Sequence, residues 1–196
     1  MINNASILDH AIALAVKAHS GMRRKLDSLP YIIHPMEVAV VAATLTNDEE
    51  VLAASILHDT IEDAGLTFED IASKCGERVA RLVISETEDK HPEMPKDISW
   101  HLRKEESLAI LRRAEDPGTR ILWLADKLTN MRSYHRLWEQ EGDALWQRLN
   151  QSDPAEQAWY YRSVAEILSD LHDTVAWQEY SQLIDIVFGG VGNEQN

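Results

Sequence analysis

His58-Asp59, followed by Glu62-Asp63, puts an imidazole and three carboxylates within six residues. The apolar run from Val51 to Leu57 before them predicts a helix. If that helix runs on, His58 lies one turn below Glu62 and Asp59 one turn below Asp63. A divalent metal needs ligands, and hydrolysis at that metal needs a separate group to move protons. This short run offers both. The plainer reading is a solvated acidic helix end. Ala53, Ala54, Ile56 and Leu57 argue against it, because they set the segment against a core, where bare carboxylates are costly.

Two other places carry matching chemistry. In Pro30-Tyr31-Ile32-Ile33-His34-Pro35, the proline after His34 favours an extended histidine, and Pro35 suits the first position of a helix over residues 36–45. A stiff junction suits a ligand, although a lone histidine is more often a satisfied core or surface residue. In Leu124-Ala125-Asp126-Lys127-Leu128-Thr129-Asn130-Met131-Arg132, the apolar Ile121, Leu124, Ala125 and Leu128 keep helical spacing. Asp126 and Asn130 stand one turn apart beside that stripe. Spacing leaves open whether Asp126 is a surface charge or a buried ligand.

The elements that must position these groups all read as helices. Ser6 with Asp9 forms a capping box for a helix over 7–19. Asp48 caps the helix that leads to His58-Asp59. Thr67 with Asp70 repeats the capping pattern, and Gly76 fits that helix's end. Further helices are expected over 77–87, 98–114, 120–139, 154–172 and 175–188, with a turn at Asp116-Pro117-Gly118. Residues 88–97 hold two prolines and read as a loop of the length that often covers a site. No strand pattern competes, so the fold class is all-α. A single domain over 1–196 is expected, with its core at about 5–188 and a frayed tail at 189–196.

Composition bounds the function. The chain of 196 residues is 44% hydrophobic with 8 Gly and 6 Pro, enough for a sizeable helical core. Its formal net charge of −14 excludes nonspecific binding to a nucleic-acid polymer, which relies on basic surface. A phosphorylated ligand would need local cations. Arg23-Arg24-Lys25 is a compact basic cluster, and Lys90, Arg103, Lys104, Lys127, Arg132 and Arg136 flank the other segments. No apolar stretch reaches the length of a membrane span, and the first residues do not resemble a signal peptide. The single Cys75 reads as a small core residue in a reducing cytoplasm. Ser20 and Ser85 lack a glycine elbow, and the six tryptophans read as core or interface.

The pieces resemble, in this order, the HD-domain hydrolases of the RelA/SpoT type, above all the small stand-alone alarmone hydrolases. The resemblance rests on Ala18 to Lys25, Pro30 to Pro35, His58 to Asp63, Thr87 to Lys90 and Leu124 to Arg132, and covers about residues 5–135 and, more loosely, Trp159 to Phe188. It implies an HD-domain helical bundle. It implies that His34, His58, Asp59 and Asp126 hold one divalent metal, manganese by family habit. Glu62 and Asp63 would handle the proton of the attacking water or of the leaving group. Arg24, Lys25 and Asn130 would line the nucleotide pocket, and Lys90 and Tyr160 would touch phosphate or base. Met22 stands where Gln is common, and Leu26-Asp27-Ser28-Leu29 departs from the Ser-Gly-Glu of the long enzymes. Both departures bear on substrate identity rather than on catalysis.

The expected function is therefore metal-dependent hydrolysis of guanosine tetra- or pentaphosphate, (p)ppGpp, to GDP or GTP and pyrophosphate. The alternatives are an HD phosphohydrolase acting on another phosphorylated nucleotide, such as the 2′-phosphate of NADPH, and a non-catalytic alarmone-binding domain. Glu62 and Asp63 argue against the last, since a sensor needs no proton-transfer pair.

Overall fold

The computed structural model describes residues 6–190; residues 1–5, and 191–196 of the expected tail, lie outside the described residues. The all-α expectation holds. The helices are α1 (Ile7–Ala18), α2 (Ile33–Ala42), α3 (Glu49–Leu57), α4 (Thr60–Ala64), α5 (Phe68–Cys75), α6 (Glu77–Glu86), α7 (Lys96–Arg113), α8 (Pro117–Glu141), α9 (Pro154–Ile167) and α10 (Val175–Phe188). Short 3-10 helices cover Gly142–Arg148 and Ser169–Leu171. Extended pairing among the described residues is limited to one antiparallel bridge, Arg23 to Pro30. No described helix is long and apolar enough to cross a membrane.

The chain divides into two compact units. The first takes residues 6–24, Leu29–Thr87 and Ala114–Asp126, and the second takes Lys25–Ser28, Glu88–Arg113 and 127–190. In the first unit, α1, α2 and α6 pack on α3, and α5 packs on α6 and α1. Helix α3 is buried on nearly every side through Val51, Ala53, Ala54, Ser55, Ile56 and Leu57. A helix apolar all round belongs in a core. Its one buried hydroxyl, Ser55, donates to the Val51 carbonyl at 2.9 Å, so no polar group is stranded there. The start of α8 comes close to α3: a Cβ on Gly118 would lie 2.7 Å from Val51 Cγ2.

Local signals set most helix starts. Ser6 and Asp9 cap α1, and Thr67 and Asp70 cap α5, each pair satisfying two end N–H groups. Asp48 accepts from the Glu50 N–H at 3.0 Å to open α3. Three starts differ from expectation. Helix α2 begins at Ile33, so His34 is helical rather than extended, and Pro35 occupies the third helical position. The first turn needs no partner for its N–H groups, so proline costs no hydrogen bond there, and burial of His34 and Pro35 outweighs the bias against helix before proline. Asp116-Pro117-Gly118 opens α8 instead of forming a separate turn: Pro117 is its first residue, and Asp116 Oδ1 accepts from the Gly118 N–H at 2.8 Å. Helix α7 starts at Lys96, which shortens the expected loop over 88–97.

The second unit is built on aromatic contacts. Tyr161 meets Tyr134, Tyr160 and Phe188 at centroid distances of 5.4, 5.4 and 6.0 Å, and Trp146 stacks on Phe188 at 5.4 Å. Arg132 grips Glu179 with two hydrogen bonds of 2.6 Å, tying α8 to α10.

Arg78 of α6 joins the starts of α3 and α8. It donates to Asp48 at 2.7 Å, to Glu50 at 2.9 Å, and to both carboxylate oxygens of Asp116 at 2.8 and 3.1 Å. Hydrogen bonds from Arg78 hold the Asp48 and Asp116 carboxyls below the ordinary carboxylate range. Arg78→Ala should cost about 1–2 kcal/mol, a modest value because these side chains are about a third exposed and screened. A depressed carboxyl pKa adds stability above the unfolded value and loses it as pH falls through the folded one. The difference in melting temperature between parent and Arg78→Ala should therefore persist at neutral pH and shrink below about pH 4.

Candidate metal centre

Helix α3 ends where the chemistry begins. The Ser55 carbonyl accepts the Nδ1–H of His58 at 2.9 Å, and the Leu57 carbonyl accepts the Thr60 hydroxyl at 2.6 Å. Side chains thus take carbonyls that the next helical turn would have used. The helix does not run on: the chain breaks at His58-Asp59 and restarts as α4 at Thr60. Asp59 sits at φ −88°, ψ −3°, in the sparsely used bridge region. The Asp63 N–H still reaches the Asp59 carbonyl at 2.9 Å, so the expected one-turn spacing of these two survives the break.

A carbonyl only accepts, so the Ser55 contact makes Nδ1 of His58 the donor and leaves the lone pair of neutral His58 on Nε2. That Nε2 is buried without a hydrogen-bond partner. It faces Asp59 Oδ2 at 3.1 Å and Asp126 Oδ1 at 3.5 Å. His34, from the first turn of α2, brings its own Nε2 to 3.0 Å from Asp126 Oδ1 and 3.6 Å from Asp59 Oδ2. The two imidazoles meet edge to face, with centroids 5.1 Å apart. Single ligand atoms of His34, His58 and Asp126 all lie within 4.8 Å of one another, and all three residues are buried.

These spacings fit a cation. Ligands about 2.1 Å from a metal stand about 3.0 Å apart at a right angle and about 3.4 Å apart at the tetrahedral angle. The electrostatics agree. Burial alone would push the His58 pKa down, yet Asp59 and Asp126 outweigh it and hold the imidazole well above its ordinary value. Burial would likewise raise Asp59, and His58 with His34 drives it below the usual carboxylate range instead. A site that holds a proton this strongly favours any positive charge that can replace it. The His34–His58–Asp126 group could hold a divalent metal, with Asp59 against both histidines.

Tyr31 is a site residue that sequence reasoning passed over. Its hydroxyl lies 2.8 Å from Asp59 Oδ2 and 2.6 Å from Asp63 Oδ2. Burial first, and then the two carboxylate charges, push the phenol pKa far up, so it remains a donor. Its ring stacks on His19 at 4.7 Å and 15°. His19 is itself buried, with neither ring nitrogen hydrogen-bonded, and burial lowers its pKa. Tyr31 carries no signal at helical spacing, because its partners lie 28 and 32 residues away.

The remaining expected residues fall in different places. Glu62 is half-buried and Asp63 exposed, both on α4. Arg24 belongs to the first unit and Lys25 to the second. In the second unit, Asn130 and Tyr160 line a polar cavity of about 200 Å³ together with Lys104, Lys127, Gln157 and Trp100. Lys90 is exposed and does not line this cavity. Lys104 takes the part of a cation there. Its ammonium donates to Glu88 at 2.6 Å, lies 4.8 Å from the Tyr160 ring centroid, and is flanked by an Arg103–Glu88 ion pair. Burial would lower the Lys104 pKa, but Tyr160 and Glu88 raise it overall, so the charge is kept.

Asp126→Ala should abolish binding of the ion while the circular dichroism of the helices stays unchanged. Metal content of the purified variant by inductively coupled plasma spectrometry checks this; full occupancy would contradict the assignment.

The family described as HD domain matches residues 11–154. Over 135 residues the chain is 38% identical to a guanosine-3′,5′-bis(diphosphate) 3′-pyrophosphohydrolase of Aquifex aeolicus, a match covering 69% of this chain and 18% of that protein. It is 34% identical over 139 residues to the enzyme of the same name from Xenopus tropicalis, covering 69% of this chain and 74% of that one. The chain thus spans about a fifth of the length of several long curated relatives and most of the short one. A solved structure described as a metazoan ortholog of SpoT that hydrolyses ppGpp superposes with a TM-score of 0.70 at 24% identity, over 98% of this chain and 99% of that one, a likeness of fold. With the matched segment covering most of its length and the His-Asp pair set beside buried His34 and Asp126, the chain belongs to the HD-domain family, in the group that contains the guanosine-3′,5′-bis(diphosphate) 3′-pyrophosphohydrolases.

Proposed function

We propose that this chain is a divalent-metal hydrolase that removes the 3′-diphosphate of (p)ppGpp as pyrophosphate, leaving GDP or GTP. The observation that carries the reading is the convergence of His34, His58, Asp59 and Asp126 at 3.0–3.6 Å, with Asp63 one turn beyond Asp59. The similarity to proteins named for this reaction supports it. The four residues hold one ion, and manganese suits such a mixed nitrogen and oxygen set. When bound, the ion supplies a water of lowered pKa and neutralises phosphate charge.

The rest falls to the chain's own side chains. Water oxygen bonds to the phosphorus carried by the ribose 3′ oxygen, and the bond between that phosphorus and the 3′ oxygen breaks. The attacking water gives up a proton, and the departing ribose alkoxide takes one. Glu62 and Asp63 carry this traffic, because they stand on α4 directly after the ligand pair and are not shut away from solvent. Charge on the substrate is met locally despite the net −14 of the chain. Asn130, one turn after Asp126 on α8, and the exposed Lys90 contact the nucleotide and its phosphates. Arg24 and Lys25 bind the base and further phosphate, Arg24 by stacking as well as by charge. We read the two units as one functional HD domain, because the family match at 11–154 runs through segments of both. A reducing cytoplasm suits the free, buried Cys75.

Glu62→Gln and Asp63→Asn should keep the metal and lose kcat by about 100-fold or more; loss of metal would make them ligands instead. Arg24→Ala should raise KM for (p)ppGpp with a smaller effect on kcat, as loss of uniform binding does. The reading as a whole is tested by kcat/KM for (p)ppGpp, NADPH and simple nucleoside phosphates at one manganese concentration. Clear preference for (p)ppGpp is expected. Preference for NADPH would assign a different phosphorylated nucleotide, and binding of (p)ppGpp without pyrophosphate release would make the protein a sensor.

A further inference from the structure

The oxygen of Asp59 that faces both histidines is the one bonded to Tyr31. Asp59 Oδ2 lies 3.1 Å from His58 Nε2 and 3.6 Å from His34 Nε2, and the Tyr31 hydroxyl reaches the same atom at 2.8 Å. On its other side the hydroxyl reaches Asp63 Oδ2 at 2.6 Å. A phenol has one proton to give, so the two carboxylates share a single donor and are held about it. Asp63 is exposed, and this contact is one that holds its carboxylate in place.

The phenol is itself anchored. The Tyr31 N–H donates to the Met22 carbonyl at 3.0 Å, and the Met22 N–H donates to the His19 carbonyl at 3.0 Å. His19 then lies flat against the Tyr31 ring. Since neither nitrogen of His19 is hydrogen-bonded, the imidazole serves as a plate rather than as a polar partner.

We propose that Tyr31 is a positioning residue whose hydroxyl ties the ligand Asp59 to the proton-transfer carboxylate Asp63, with His19 as the plate that holds its ring. This rests on the metal centre proposed above and deepens it. Groups that orient a metal ligand from behind change metal affinity or activity by about 10–100-fold when removed.

Tyr31→Phe keeps the ring and its stack and deletes only the hydroxyl. Titration of the metal-free full chain with Mn2+ should show the Kd rising by about tenfold or more. The kcat for (p)ppGpp should fall by about tenfold or more, with KM changed by no more than about threefold. The melting temperature of the metal-free protein should stay close to the parent's. His19→Phe, which keeps a flat ring, should retain Mn2+ affinity within about threefold of the parent. A Tyr31→Phe protein with Mn2+ affinity and kcat both equal to the parent's overturns the proposal. So does one whose metal-free melting temperature collapses, since the hydroxyl would then be structural. Loss at His19→Phe as large as at Tyr31→Phe overturns the role given to His19. A parent that binds Mn2+ but leaves (p)ppGpp intact defeats the substrate reading alone, and the Mn2+ titration still decides Tyr31. A parent that binds no Mn2+ defeats both.

Discussion

The Nε2 atoms of two imidazoles and the oxygens of two carboxylates converge in one largely buried place, and the cost of gathering these polar groups away from water governs how the surrounding helices are built. His58 cannot turn its lone pair away, because the Ser55 carbonyl holds its other nitrogen. Asp126 cannot swing to solvent from its buried place on α8. Such a cluster is costly unless positive charge sits inside it. The fold nevertheless spends its best-packed helix on building it. Helix α3 is sheathed by α1, α2 and α6, and it delivers His58 and Asp59 at its broken end. The Arg78 network then fixes the starts of α3 and α8, the two helices that lead into His58-Asp59 and Asp126.

The break in α3 shapes the chemistry. A continuous helix would spend the Ser55 and Leu57 carbonyls on its own ladder. Their capture by His58 and Thr60 frees the backbone at Asp59 to adopt the bridge conformation. Asp59 can then meet both histidines while Asp63 remains one turn beyond it, near water. In the proposed reading, binding and proton transfer fall to different carboxylates in different surroundings, as metal-assisted hydrolysis requires.

What could be read from sequence follows the range of the interactions. Ser6 with Asp9, Thr67 with Asp70, and Asp48 act within three residues, and each capped the helix expected of it. The composition already pointed to an all-helical chain. His34 is helical rather than extended because the local bias before Pro35 is weaker than the burial of both residues in the first turn of α2. The end of α3 was invisible because it depends on side chains seizing carbonyls, a choice spacing does not encode. The contacts of Tyr31 and Lys104 leave no local signal because their partners are 16 to 56 residues distant: Asp59 and Asp63 for one, Glu88 and Tyr160 for the other. Tyr31 stood inside a motif already in view, yet nothing local distinguishes a phenol that packs from one that clamps two carboxylates.

The proposed centre places one divalent ion among His34, His58, Asp59 and Asp126. Anomalous diffraction at the manganese edge, from crystals of the protein loaded with Mn2+, tests it most directly. A single strong peak within about 2.3 Å of an atom from each of the four residues is expected. A strong peak elsewhere, or none in this cluster at full loading, would contradict it.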